Sequence, residues 1–78
     1  MPTPENRARA IADAIRRRGQ RMTPQRMAVI KEFLARTDHP SAESIHQALK
    51  ADFDMMAVST VYDTLRLLVE LGEAAEVG

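Results

Sequence analysis

The side chains best suited to recognise a ligand lie in one short run, Ser59-Thr60-Val61-Tyr62-Asp63. Hydroxyl groups at the start of a helix suit an anion such as a phosphate, because the first backbone N–H groups of a helix lack partners there. A flat tyrosine ring and a carboxylate can both meet the edges of nucleic-acid bases. These residue types are typical of a helix that enters the major groove of DNA, which is about 12 Å wide.

Basic side chains are concentrated in the first half of the chain. The 78 residues carry 11 basic and 11 acidic groups, so the formal net charge is zero. Residues 1–36 hold nine basic and three acidic groups, a net of +6, whereas residues 37–78 hold two and eight, a net of −6. Charges further apart than about 8 Å are largely screened in physiological salt. A polyanion partner is therefore compatible with the zero total, although the acidic half limits its affinity.

The composition excludes several classes of protein. The chain has no cysteine, which excludes a disulfide framework, a thiolate zinc site and a catalytic thiol within it. No nucleophile–base pair and no glycine-rich phosphate loop is present, so we do not expect an enzyme. Neither a signal peptide nor an apolar run of about 18 residues occurs. We expect a single cytoplasmic domain with no membrane partner.

Capping residues predict the first three helices. Thr3 and Thr23 are each followed by proline, and this pair favours the start of a helix. Ser41 is the cap of a third helix of about ten residues. The first helix should stop at Gly19 and the second near Arg36.

A fourth helix is predicted to open at Ser59 or Thr60, with Thr60 and Asp63 forming a capping box. Val58 before it is expected to be extended, and Gly72 should end the helix. Apolar residues recur at steps of three and four in all four segments. The predicted buried stripes are Ala8, Ile11, Ala12 and Ile15; Met27, Ile30, Phe33 and Leu34; Ala42, Ile45, Ala48 and Leu49; and Val61, Leu65, Leu68 and Val69.

Residues 73–77 are predicted to form one β-strand, after which Gly78 ends the chain where a hairpin turn would be expected. The predicted fold class is therefore mainly α: a winged helix-turn-helix of four helices followed by the truncated start of a β-hairpin wing. Helical bundles that do not bind DNA show the same order of elements. The pattern alone leaves both possibilities open.

Three motifs resemble the ferric uptake regulator (Fur) family, and their form is closest to its peroxide-responsive branch, PerR. They are Arg21-Met22-Thr23-Pro24-Gln25-Arg26, His39-Pro40-Ser41-Ala42-Glu43 and Val58-Ser59-Thr60-Val61-Tyr62. The resemblance implies that residues 1–78 are the winged-helix DNA-binding domain of a dimeric, metal-dependent transcription regulator, usually a repressor. It also implies a C-terminal dimerisation and metal domain that is absent from this chain.

The resemblance implies roles for the residues of the reading helix. Tyr62 would pack its ring on a thymine methyl, and Ser59 and Thr60 would contact phosphates of double-stranded DNA. Arg21 would reach into the minor groove of an A·T-rich, pseudo-palindromic operator, since narrow A·T-rich grooves attract arginine. The structural alternatives are a tyrosine half-buried against the core and hydroxyls that only cap the helix.

Three further residues carry two interpretations each. Arg18 and Arg26 would contact or steer the DNA backbone, but arginines at a helix end can also be a solvated face. Arg26 can instead pair with a carboxylate such as Glu43. Asp63 departs from the family pattern, in which arginine or asparagine often stands at this position. It either accepts a hydrogen bond from a cytosine amino group or caps the helix with Thr60.

His39 resembles the histidine by which the DNA-binding domain of the family reaches a regulatory metal. The resemblance implies iron or manganese at that site and structural zinc in the full-length homodimer, but no cofactor within this chain, because one histidine cannot hold a metal. The alternative is an ordinary loop histidine before Pro40. The competing function is a winged-helix module that binds proteins rather than DNA, which the acidic second half and Asp63 favour.

Overall fold

A computed structural model describes residues 3–36 and 40–73 of the chain. Four helices follow one another in this part: α1 (Pro4–Arg17), α2 (Pro24–Ala35), α3 (Ala42–Leu49) and α4 (Val58–Glu70). No strand occurs among the described residues. Glu73 belongs to the bend after α4, and the rest of the predicted strand lies outside the described residues. The mainly helical prediction is confirmed, whereas the wing is not shown.

The first three helices begin at the predicted caps. The side-chain oxygens of Thr3, Thr23 and Ser41 each accept a hydrogen bond from the backbone N–H three residues later, at 3.1 Å. Each bond satisfies one of the N–H groups that have no partner within the helix. Because a cap acts over only three residues, these starts could be predicted from local sequence.

The predicted start of α4 is wrong. The helix begins at Val58, its cap is Ala57, and no side chain caps it. Thr60 lies inside the first turn, where its N–H donates to the carbonyl of Ala57 at 3.1 Å, so the capping box with Asp63 does not form. Met56, just before the cap, is only 4% exposed and packs in the core.

Helices α1 and α4 end in the same hydrogen-bonding motif. Gly19 and Gly72 have φ values of 79° and 78°, a left-handed conformation that glycine adopts without steric cost. In α1, the N–H of Gly19 donates to the carbonyl of Arg16 at 2.9 Å, and the N–H of Gln20 donates to the carbonyl of Ile15 at 3.2 Å. This pairing is the Schellman motif, and it confirms both predicted stops.

The core is built around α2, which packs against α1, α3 and α4. One cluster lies between α1, α2 and α4 and consists of Ala8, Ile11, Ile15, Ile30, Leu67 and Leu68. A second joins α2, α3 and α4 through Val29, Ala42, Ile45, Leu49, Met56 and Val61. Because α4 contributes to both clusters, its inner face is clamped along most of its length.

The buried face of α4 differs in part from the predicted stripe. Val61 and Leu68 are buried as predicted, but Leu65 and Val69 are only half-buried. Thr64 is fully buried in their place, and its Oγ1 donates to the carbonyl of Thr60 at 2.8 Å. This bond satisfies the hydroxyl within the helix, which allows a polar residue at an inner position. On α3, Ala48 is exposed rather than buried.

None of the described helices combines the length and the apolar character needed to cross a bilayer.

Candidate nucleic-acid interface

The outer face of α4 carries polar side chains along one line. Ser59, Tyr62, Asp63 and Arg66 are all exposed, whereas Val61 faces the core. Spacings of three, four and seven residues place the four exposed side chains on the same side of a helix. Tyr62 is 47% exposed and belongs to neither core cluster, so its ring points outward as predicted rather than against the core.

The start of α4 leaves its backbone donors without a side-chain acceptor in the described part of the chain. Ser59 is exposed and Thr60 half-buried, and neither hydroxyl caps the helix. The simple capping alternative for these two residues is therefore wrong. N–H groups and hydroxyls at a helix start, together with the positive end of the helix dipole, suit an anion such as a phosphate.

The hydroxyl of Tyr62 donates a hydrogen bond to the Oε1 of Glu43, which lies in the first turn of α3. This bond lowers the pKa of Glu43 below its ordinary value of 4.5, since the bond favours the charged carboxylate. The same bond raises the pKa of Tyr62 above 10.0, with smaller contributions from burial and the nearby negative charge. The tip of the tyrosine is therefore tied to α3, while its ring stays exposed.

Arg21 lies close to α4, as predicted. It lines a groove of about 270 Å³ between the start of α2 and the start of α4. The other lining residues are Gln20, Thr23, Gln25, Arg26, Thr60 and Asp63. The groove thus joins two predicted basic residues to two predicted residues of α4, although about 40 residues separate them in sequence.

Arg26 has a partner that the sequence did not suggest. Its Nη1 donates to the backbone carbonyl of Arg21, five residues earlier, and Glu43 is occupied by Tyr62 instead. The predicted pairing of Arg26 with Glu43 is therefore wrong. The bond links the segment before α2 to the first turn of that helix.

Arg18 lies at the opposite end of α4 from Ser59. Its Nη2 donates to Oε1 of Glu70 at 2.7 Å, and Glu70 is the last residue of the helix. A rise of about 1.5 Å per residue puts this pair roughly 16 Å along α4 from Ser59. Arg7 also forms an ion pair with Glu73, and Arg16 forms one with Asp13. Acidic groups thus neutralise part of the basic first half.

Arg66 is a residue of this face that the sequence prediction missed. It is exposed one turn after Asp63, and its Nη1 lies 4.0 Å from the Oδ1 of Asp63. The spacing of three residues on an exposed helix face was the available signal. Its position adds a cation next to Asp63, so the outer face of α4 is less acidic than Asp63 alone implies.

Of the two histidines, only His46 lies within the described residues. His39, the predicted metal ligand, lies outside the described residues. Within residues 3–36 and 40–73, no group of three or more His, Cys, Asp or Glu side chains comes together that could hold a metal ion. His46 is half-buried, and its Nε2 lies 2.7 Å from the carbonyl oxygen of Met56. Because a carbonyl only accepts, Nε2 carries the proton and His46 braces the loop before α4.

These features define a small helical domain whose last helix is clamped by its inner face and displays a polar outer face beside a basic groove. The chain belongs to the ferric uptake regulator family, whose family model matches residues 17–77. The resemblance predicted from three sequence motifs is therefore confirmed.

Individual relatives point to one branch of that family. The chain is 37% identical over 76 residues to the peroxide-responsive repressor PerR of Staphylococcus saprophyticus, covering 97% of this chain and 51% of that protein. It is 38% identical over 63 residues to PerR of Staphylococcus aureus (strain USA300), covering 81% of this chain and 43% of that protein. The chain spans about half the length of these curated relatives. No solved structure matches it.

Proposed function

We propose that residues 1–78 are the DNA-binding domain of a metal-dependent transcriptional regulator of the Fur/PerR type that acts as a repressor. Membership of the ferric uptake regulator family supports the class. The similarity to two proteins named as peroxide-responsive repressors supports the direction of regulation. In this proposal α4 enters the major groove of double-stranded DNA and reads an A·T-rich operator.

The exposed ring of Tyr62 in the middle of the polar face of α4 is the observation that carries the proposal. Its ring would pack on a thymine methyl, an apolar contact that distinguishes thymine in the major groove. Ser59 and Thr60 would bind a backbone phosphate at the start of α4. Asp63 and Arg66 continue the same face one turn further on.

Arg21 and Arg26 would position the domain on the DNA. Arg21 would enter the adjacent minor groove, and Arg26 would hold the Arg21 segment while adding positive charge. Arg18 would contribute at most a steering charge, because its guanidinium is bound to Glu70 at the far end of α4. Asp63 would either read a cytosine amino group or leave its charge paired with Arg66.

Dimerisation and metal binding extend the proposal to the full-length protein. Two copies would place two reading helices on the half-sites of a pseudo-palindrome, with their spacing fixed by the dimer. His39 would join ligands from outside the described residues at an iron or manganese site, with structural zinc elsewhere. Imidazole nitrogen suits each of these metals.

A protein-interaction module is the second candidate. Met55, in the turn before α4, is 88% exposed, and Val58, four residues before Tyr62 on the helix, is 39% exposed. Exposed apolar side chains of this kind occur in protein interfaces. The carboxylates of Glu43 and Asp63 near Tyr62 also lower the affinity of this face for a polyanion. This candidate predicts that Met55 matters as much as Tyr62 and that DNA is not bound.

Binding of a labelled A·T-rich duplex, measured by fluorescence anisotropy over a range of salt concentrations, separates the two functions. We expect log K to fall linearly with log salt, by about 0.9 per phosphate neutralised. Tyr62→Ala should weaken binding about tenfold through lost apolar contact, and Met55→Ala should change it by less than about twofold. Absence of salt-dependent binding would contradict the proposal and favour the interaction module.

A further inference from the structure

The tip of the Tyr62 ring is fixed to a different helix from the one that carries it. Its hydroxyl donates to Glu43, 19 residues earlier in the sequence, at the start of α3. The side chain is therefore held at both ends, by its own backbone on α4 and by the carboxylate on α3. The hydroxyl is already engaged, so what the exposed side chain can still offer a partner is its ring.

This arrangement restricts an exposed side chain that would otherwise sample several rotamers. Ordering a side chain at an interface opposes binding, and a side chain that is ordered beforehand avoids most of that cost. The hydrogen bond also keeps the hydroxyl from donating to a phosphate. Tyr62 is thereby directed to contacts made by its ring.

The negative charge of Glu43 is unfavourable on a surface that binds DNA. Glu43 is exposed, and the bond from Tyr62 favours its charged form. A carboxylate beside the reading face repels phosphates. A negative charge in the first turn of α3 also stabilises that helix through its dipole. A test must therefore separate positioning from charge and from helix stability.

We propose that Glu43 is a positioning residue for base reading: by accepting the hydrogen bond from Tyr62, it holds the ring so that its flank packs on a thymine methyl. This proposal rests on the proposed DNA-binding function. Glu43 itself contacts no base. Its effect on affinity therefore depends on whether the methyl group is present in the DNA.

The test is a cycle that combines a protein substitution with removal of one methyl group from DNA. The probe is a duplex selected by the 78-residue chain from a random pool, remade with single thymines replaced by uracil, which removes only the methyl group. With the unmodified chain, the replacement at the contacted position should weaken binding about fourfold, the contribution of one buried methyl group.

We expect Glu43→Ala to reduce the ratio of the affinities for the thymine and uracil duplexes to below about twofold, because the ring is no longer held. Glu43→Gln, whose amide oxygen still accepts the hydrogen bond, should keep the ratio near the unmodified value. Glu5→Ala is the matched control, since it removes the same exposed charge from the first turn of α1. It should leave the ratio unchanged.

Each contrary result has a distinct meaning. If Glu43→Ala tightens binding equally on both duplexes, Glu43 acts only through its charge and the positioning proposal is overturned. If no thymine replacement affects the unmodified chain, the ring reads no methyl group and the proposal is again overturned, although salt-dependent DNA binding would persist. If the chain binds no duplex at all, the proposed function itself is wrong. Circular dichroism confirms that each variant remains helical.

Discussion

The guanidinium of Arg26, in the first turn of α2, donates a hydrogen bond to the backbone carbonyl of Arg21. Arg21 and Arg26 then line one groove with Thr60 and Asp63 of α4. One side chain of α2 is therefore bonded to the segment that carries Arg21, which lines the groove beside α4. The groove and the outer face of α4 form a continuous surface, on which the following predictions depend.

Arg21→Ala should weaken binding more on A·T-rich duplexes than on G·C-rich ones. The reason is that the narrow minor groove of A·T-rich DNA has an enhanced negative potential that attracts an inserted arginine. Binding to two duplexes of equal length measures the difference. Arg9→Ala removes an equivalent exposed charge from α1, next to Lys31 rather than α4. Equal losses on both duplexes would reduce Arg21 to a phosphate contact.

Arg26→Lys should lower the preference for A·T-rich DNA while leaving the salt dependence nearly unchanged. Lysine keeps the charge but lacks the planar guanidinium that spans the distance to the Arg21 carbonyl. The ratio of affinities on the two duplexes and the slope of log K against log salt are the two readouts. An unchanged ratio would show that the bond between Arg26 and Arg21 does not position Arg21.

Asp63→Asn should raise affinity for DNA broadly, by roughly twofold to fivefold, the range expected for one exposed charge interaction. The substitution removes a phosphate-repelling charge and frees Arg66, whose Nη1 lies 4.0 Å from the Oδ1 of Asp63. Asp52→Asn, in the exposed turn after α3, is the matched control. Weaker binding that is confined to duplexes with one particular base pair would show that Asp63 reads a base.

Titration of Tyr62 should show a pKa above the ordinary value of 10.0, and Glu43→Ala, which removes the hydrogen-bond acceptor, should bring it down. Because the pKa is raised, the contribution of the hydrogen bond is complete below the ordinary value and is lost as pH rises through the raised one. For Glu43, whose pKa is lowered, the contribution is present above 4.5 and is lost as pH falls through the lowered value.

Phenolate absorbance measures this pKa without ambiguity, since the chain has one tyrosine and no tryptophan. The bond should accordingly persist across neutral pH. Identical titration curves for the unmodified chain and Glu43→Ala would contradict the hydrogen bond.

Local signals predicted most of the fold. The caps Thr3, Thr23 and Ser41 and the stop at Gly19 act within a few residues, so they could be recognised directly. The start of α4 could not, because its cap, Ala57, makes no side-chain hydrogen bond, and the core contact of Met56 just before it forms only in the folded chain. Local propensity is regularly overridden by tertiary packing of this kind.

The candidate site shows the same division. The outward direction of Tyr62 followed from its place one residue after buried Val61, about 100° round the helix. Its bond to Glu43 joins residues 19 positions apart, and the sequence contained no signal for that pairing. The proximity of Arg21 to α4 was predicted from the family resemblance, because only the folded chain brings them together.

Amide chemical shifts of the isotopically labelled chain, followed as duplex DNA is added, test the DNA-binding surface most directly. We expect the largest changes in residues 58–66 and at Arg21, with little change on the outer face of α1 around Asp13. Changes centred on α1, or the absence of any change at low salt, would contradict the assignment of α4 and its adjoining groove as the DNA-binding surface.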